Sequence, residues 1–131
     1  MKKGYIVNIE EETENNNDYR RVLYTGANMQ LVVMNIAPGD EIGEEVHDGH
    51  DQFIRVEEGE AKVVLNKVEE HKLEDDFIVI VPAGVAHNVI NTGDKPLKLY
   101  TLYSPPEHKD GTVQATKADE KEEHFDGVTT E

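Results

Sequence analysis

Cysteine is absent from the 131-residue chain, so no disulfide supports the fold, as suits a protein of a reducing compartment. Serine occurs once, as Ser104 beside Pro105 with no helical segment after it, which leaves no serine nucleophile elbow. Apolar runs are short, and the longest, Phe77 to Val81, could not span a bilayer. The opening MKKGYIVNIEEETENNND has no apolar stretch of signal-peptide length before its acids, so a soluble, cytoplasmic protein is expected. Basic residues are scarce as well. The 13 Lys and Arg stand against 28 Asp and Glu, a formal charge of −15, and no basic cluster offers itself to phosphate backbones or anionic membranes. Nucleic acid and membrane are therefore excluded as partners. Glycine-rich phosphate loops and zinc-protease motifs are missing too, and no stretch from 20 to 104 sustains a helical period.

What remains is β-rich. Gln30–Ile36, Gln52–Val56, Ala61–Leu65, Phe77–Val81, His87–Asn91 and Leu97–Tyr103 are short runs of Val, Ile, Leu and aromatic residues, each stopped by turn residues. Breaks at such intervals are the signature of a sandwich or closed barrel. Asn66-Lys67 reads as a two-residue hairpin turn. The length suits one domain, 1–131, with a core over about 30–104, N-terminal strands within 1–29 and a polar tail from 105 to 131. In that tail Thr116-Lys-Ala-Asp119 resembles a weak helix start, and 126–131 is expected to fray. The acids at Glu10–Asp18 and from Asp119 onward read as solvated ends.

The chemistry concentrates at 45–52, EVHDGHDQ, where a glutamate and two histidines fall within eight positions. Two segments read together explain it. Gly39 is followed after five residues by Glu45, then His47, then Gln52 and, six residues later, Gly59. Pro82-Ala-Gly84-Val-Ala-His87 runs on to Asn91. These segments resemble the two motifs of the cupin superfamily, an all-β double-stranded β-helix (jelly-roll barrel) fold. The second motif matches from Pro82 to Asn91, with Asp76 where the family has a glycine. The first matches in spacing, but Glu45 stands at the first histidine position and Gln52 at the glutamate position. The resemblance implies one divalent metal ion (iron, manganese or zinc) held by Glu45, His47, Gln52 and His87. The carboxylate has in effect moved from the last first-motif position to the first, so the ligand charge stays at −1. Asn91 is expected to be a structural hydrogen-bonding residue.

His50 is the competing ligand, three residues after His47 on an inter-strand loop, where exposure to solvent is the expected state. His71, His108 and His124 are expected on the surface. The resemblance further implies a metal-dependent enzyme on a small polar metabolite, of dioxygenase or sugar isomerase/epimerase type. A non-catalytic cupin that binds or senses a small molecule is the alternative, favoured by Gln52. A homodimer is the family expectation.

Overall fold

The alternation in the sequence becomes a pattern of burial in the computed structural model, which describes residues 1–131. Nine strands form: β1 (Arg20–Thr25), β2 (Gln30–Ile36), β3 (Asp51–Glu58), β4 (Ala61–Leu65), β5 (Glu69–Leu73), β6 (Ile78–Val81), β7 (His87–Asn91), β8 (Leu97–Ser104) and β9 (Val113–Gln114). One antiparallel sheet runs β6-β3-β8-β2-β1-β9 and the other β5-β4-β7. The segment ahead of β3 extends the smaller sheet through bridges of Glu41 to Ile90 and Glu45 to His87. Val32, Met34, Ile36, Ile54, Val56, Val63, Val89, Leu97 and Leu99 fill the space between the sheets. This is the all-β jelly roll expected from the sequence.

Buried positions alternate along the strands, and they set out the site. They are Gln52, Ile54 and Val56 on β3, His87, Val89 and Asn91 on β7, and Leu97, Leu99, Thr101 and Tyr103 on β8. Gln52 pairs with Tyr103 across β3 and β8, so these buried polar residues share one end of the barrel. Asn91 fastens the chain elsewhere, its Nδ2 donating to Ile36 O at 2.9 Å and Lys95 O at 2.8 Å while Oδ1 accepts from Gly93 N at 2.9 Å.

Turn chemistry follows the residues. Asn66 and Lys67 take φ of 53° and 68°, the positive values that a tight hairpin needs, and Val68 N–H closes the turn on Leu65 O at 3.2 Å. Asp76, at the family's glycine position, has φ 71°, a conformation that Asp tolerates better than most residues.

Two expectations need correction, and one strand was not anticipated. The first 29 residues hold a helix, α1 (Ile9–Glu14), ahead of the single strand β1 rather than strands alone. With six residues and no apolar stripe, α1 carries no periodic signal. Its cap, Asn8 Oδ1 accepting from Glu11 N at 3.1 Å, and the acids of its first turn sustain it. Strand β5, EEHKL, is exposed except at Leu73 and is recruited by its ladder with β4 rather than by burial. The tail does not fray. Only a single 3-10 turn forms, at Lys117–Asp119, and Glu120, in the tail assigned to solvent, pairs with buried Arg20 at 2.9 Å.

At its end Thr130 N–H reaches Thr25 O at 2.9 Å, and Thr130 Oγ1 accepts from Thr25 N at 2.8 Å. Deleting 126–131 should therefore cost about 1–2 kcal/mol, since each net hydrogen bond is worth about 1 kcal/mol. A thermal melt should show the midpoint several degrees lower. An unchanged midpoint would mean that these contacts add nothing.

Candidate metal centre

Backbone pairing creates the centre. Glu45 N–H bonds to His87 O at 2.8 Å and His87 N–H to Glu45 O at 2.9 Å. Residues paired in this way send their side chains to the same face of the sheet. His47, two residues on, shares that face with Glu45 by alternation, and its Nε2 lies 2.8 Å from Glu45 Oε2. The His47 and His87 rings are 5.2 Å apart. One ligand atom each from Glu45, His47 and His87 lies within 4.8 Å of the other two, close to what two ligand bonds of roughly 2.1 Å to a common ion permit. His87 Nδ1 is 3.0 Å from Val85 O. If that nitrogen carries the ring proton, Nε2 keeps its lone pair for a ligand.

Gln52 is 4% exposed, and its Nε2 donates to Thr101 Oγ1 at 3.0 Å. That bond orients the amide and leaves Oε1 buried with no protein hydrogen-bond partner. His47 Nε2 and His50 Nε2 are buried and unpartnered in the same sense. Glu45 Oε2 lies 2.8 Å from His47 Nε2, and a Glu107 oxygen lies against His50 Nε2, so each ring nitrogen faces a carboxylate. Buried polar atoms seldom go unpartnered. A carboxylate and two imidazoles crowded at this range are arranged as ligands of a common cation would be, so Glu45, His47 and His87 fit a divalent ion.

The expectations for two other histidines fail. His50 is not a solvated loop residue: its side chain is 13% exposed and lies against the Glu107 carboxylate. His108 packs edge-on against Tyr103, with ring centroids 5.1 Å apart, instead of facing solvent. His71 and His124 are exposed as expected.

Glu107 was not legible as a site residue in PPEHKDG. It arrives because Gln30, fully buried on β2, accepts from the Glu107 and His108 backbone N–H groups at 3.3 and 2.9 Å and donates to His108 O at 2.7 Å. A polar residue at an inward, buried position of β2 was the one available signal. Above the cluster opens a cavity of about 400 Å³ lined by Arg20, Glu45, Val46, His47, Glu107, His108 and the tail segment 120–124.

Electrostatics separate the side chains. Burial would raise the Glu45 carboxyl, but adjacent His47 more than offsets this and holds it below the ordinary range. Burial opposes a charge on His47 too, yet Glu45 and Glu107 raise its pKa. Burial lowers His50 and His87 despite their acceptor neighbours, with the His47 charge adding to the effect. Burial and then Glu45 raise the Tyr103 phenol, which keeps its proton at neutral pH. Burial, then Arg20 and His47, push His108 from 6.5 down to about 3.

His108 makes folding acid-sensitive. Between 6.5 and about 3 the unfolded chain binds its proton and the folded chain does not. Its contribution is therefore full above 6.5 and is lost as pH falls towards 3, by up to about 1.4 kcal/mol per pH unit. His50 and His87 act in the same direction, while His47 opposes it. In urea titrations with chelator present, His108→Gln should flatten the decline in stability between neutral and mildly acid pH. An unchanged slope would place that sensitivity elsewhere.

Comparison with known proteins agrees with the fold. The family model described as the cupin domain matches residues 32–103. YrkC of Bacillus subtilis (strain 168), an uncharacterized protein, is 46% identical over 122 residues, which cover 89% of this chain and 66% of YrkC, just under two thirds of its length. L612 of Acanthamoeba polyphaga mimivirus, also uncharacterized, is 40% identical over 86% of this chain and 72% of its own. The crystal structure of BH2720 from Bacillus halodurans superposes with a TM-score of 0.88 at 46% identity, covering 89% of this chain and 92% of that one.

Proposed function

The chain belongs to the cupin family, and on that premise we propose that it is a metal-dependent enzyme acting on a small polar metabolite. The carrying observation is the convergence of Glu45, His47 and His87 to within 4.8 Å of one another; Gln52, with its unpartnered Oε1, is the cross-strand neighbour of Tyr103, which packs on His47. Two imidazoles and one carboxylate with open positions suit iron(II), and the Gln52 oxygen also accommodates manganese or zinc. A divalent ion held there would polarise a substrate oxygen. The protein's own groups do the rest. Glu45, held below the ordinary carboxyl range, is ionised at neutral pH and serves as ligand or base. Tyr103 packs its ring at 5.8 Å against both His47 and His50 and holds their orientation. Dioxygenase and sugar isomerase or epimerase chemistry both fit such a centre, and the polar lining of the cavity favours a hydroxylated substrate.

Metal analysis of protein purified without chelator or affinity-tag nickel tests the reading, with iron, manganese or zinc expected at one equivalent or more. Thermal-shift screening of hydroxy acids, keto acids and sugars should then find compounds that stabilise the metal-loaded wild type but not His87→Ala. Equal shifts for both proteins, or wild type without metal, would contradict it. A non-catalytic binding cupin is the second reading, favoured by the neutral Gln52 at the family's glutamate position. Metal-dependent binding without turnover of any screened compound is its expected result.

A further inference from the structure

Glu107 meets the face of His47 that Glu45 does not. His47 Nε2 is 2.8 Å from Glu45 Oε2, while its other nitrogen, Nδ1, is 3.6 Å from Glu107 Oε2. His50 Nε2 lies against the same Glu107 oxygen, buried and without a hydrogen-bond partner. The His47 and His50 rings are 4.8 Å apart, and ligand atoms of His47, His50 and Glu107 fall within 4.8 Å of one another. We propose that the protein holds a second divalent cation here, bound by His50 Nε2, the Glu107 carboxylate and His47 Nδ1, next to the ion of Glu45, His47 and His87.

The surroundings favour a built site over a chance cluster. Gln30 fixes the Glu107 backbone N–H, and Phe125 N–H donates to Glu107 O at 2.9 Å, so the residue is pinned from both sides. The His50 ring and the Glu107 carboxylate meet in a largely buried contact, where a cation would find both ligands already in place. His124 Nδ1, 3.0 Å from Glu107 Oε1 on a largely exposed ring, orients the carboxylate from the solvent side. Glu45 and Glu107, with Glu120, Glu122 and Glu123 on the cavity wall, outnumber Arg20 and Lys121 and supply the anionic charge that two dications need. Imidazole and carboxylate together suit zinc. To serve both ions His47 must lose its remaining ring proton, which passes to solvent as the second ion binds. The inference rests on the barrel-site reading only for this sharing.

Zinc titration of the chelator-stripped full chain against a chromophoric chelator tests the proposal. Wild type should take up two equivalents. His50→Ala and Glu107→Gln should each take up one and keep the barrel site, whereas Glu45→Gln and His87→Ala should each lose the barrel equivalent and keep the outer one. One equivalent in wild type, untouched by His50→Ala and Glu107→Gln, would overturn the second cation and leave the barrel reading intact. One equivalent lost only in His50→Ala and Glu107→Gln would sink the barrel reading and the two-ion account together. One equivalent lost in all four variants would mean a single ion spread over both sets, which also overturns the proposal. Copper(II) loading gives a second measurement that needs no variant. Two equivalents bridged by His47 should show magnetic coupling in the electron paramagnetic resonance spectrum, and two uncoupled signals would overturn the sharing.

Discussion

Glu45→Gln is expected to weaken divalent-metal binding in the barrel by about 100-fold or more, beyond the 10–100-fold typical of losing an outer hydrogen-bonding partner. Glu45 is the one carboxylate of that set, and a dication held by His47, His87 and an amide oxygen alone would lack anionic compensation. The substitution preserves volume and the backbone pairing to His87 at 2.8 and 2.9 Å, so the geometry survives while the charge is removed. Measured in a Glu107→Gln background, only the barrel set is available to the ion. Gln52→Glu should keep or strengthen binding by supplying a second carboxylate. Its cost falls on the metal-free protein, where a carboxylate would face Thr101 Oγ1, whose hydroxyl already donates to Phe53 O at 2.8 Å. If Glu45→Gln binds like wild type while His50→Ala loses the metal, the assignment of the carboxylate is wrong.

Asn91→Ala is expected to cost about 3 kcal/mol of stability, a large effect for a polar substitution away from the candidate metal centre. Asn91 is 2% exposed and satisfies three backbone groups, at Ile36, Gly93 and Lys95, with one side chain. Truncation leaves the buried Ile36 carbonyl without this donor, a loss of about 1–3 kcal/mol, and removes the part-buried bonds to Lys95 O and Gly93 N–H as well. Urea unfolding should show a lower midpoint at constant slope, with metal affinity in the folded protein nearly unchanged. A shift below about 1 kcal/mol would mean that water replaces the amide, as it does at exposed sites.

The parts of the fold that were legible in the sequence are those where burial enforces alternation. Strands Gln30–Ile36, Ala61–Leu65 and His87–Asn91 appear with the expected bounds because their inward residues leave no freedom of register. Asp76 was legible for a different reason, as a residue able to take positive φ in place of glycine. The nearness of His47 and His87 was legible because both lie in motif segments. The site was illegible where a loop is carried in by distant contacts. Glu107, His108 and the 120–124 wall are placed by Gln30, Arg20 and the docked tail, none of which leaves a periodic trace. Strand β5 was missed because its partners are backbone groups, which the sequence EEHKL does not display.

The central claim is that Glu45, His47 and His87 share one divalent ion, and anomalous diffraction tests it most directly. Crystals of chelator-stripped protein loaded with a single equivalent of cobalt(II) would be measured on both sides of the cobalt edge. The account predicts an anomalous peak about 2.0–2.2 Å from His47 Nε2, His87 Nε2 and a Glu45 oxygen, with Gln52 Oε1 turned towards it. A peak between His50 and Glu107 with no density at the barrel set, or no peak within ligand distance of His87, would contradict it.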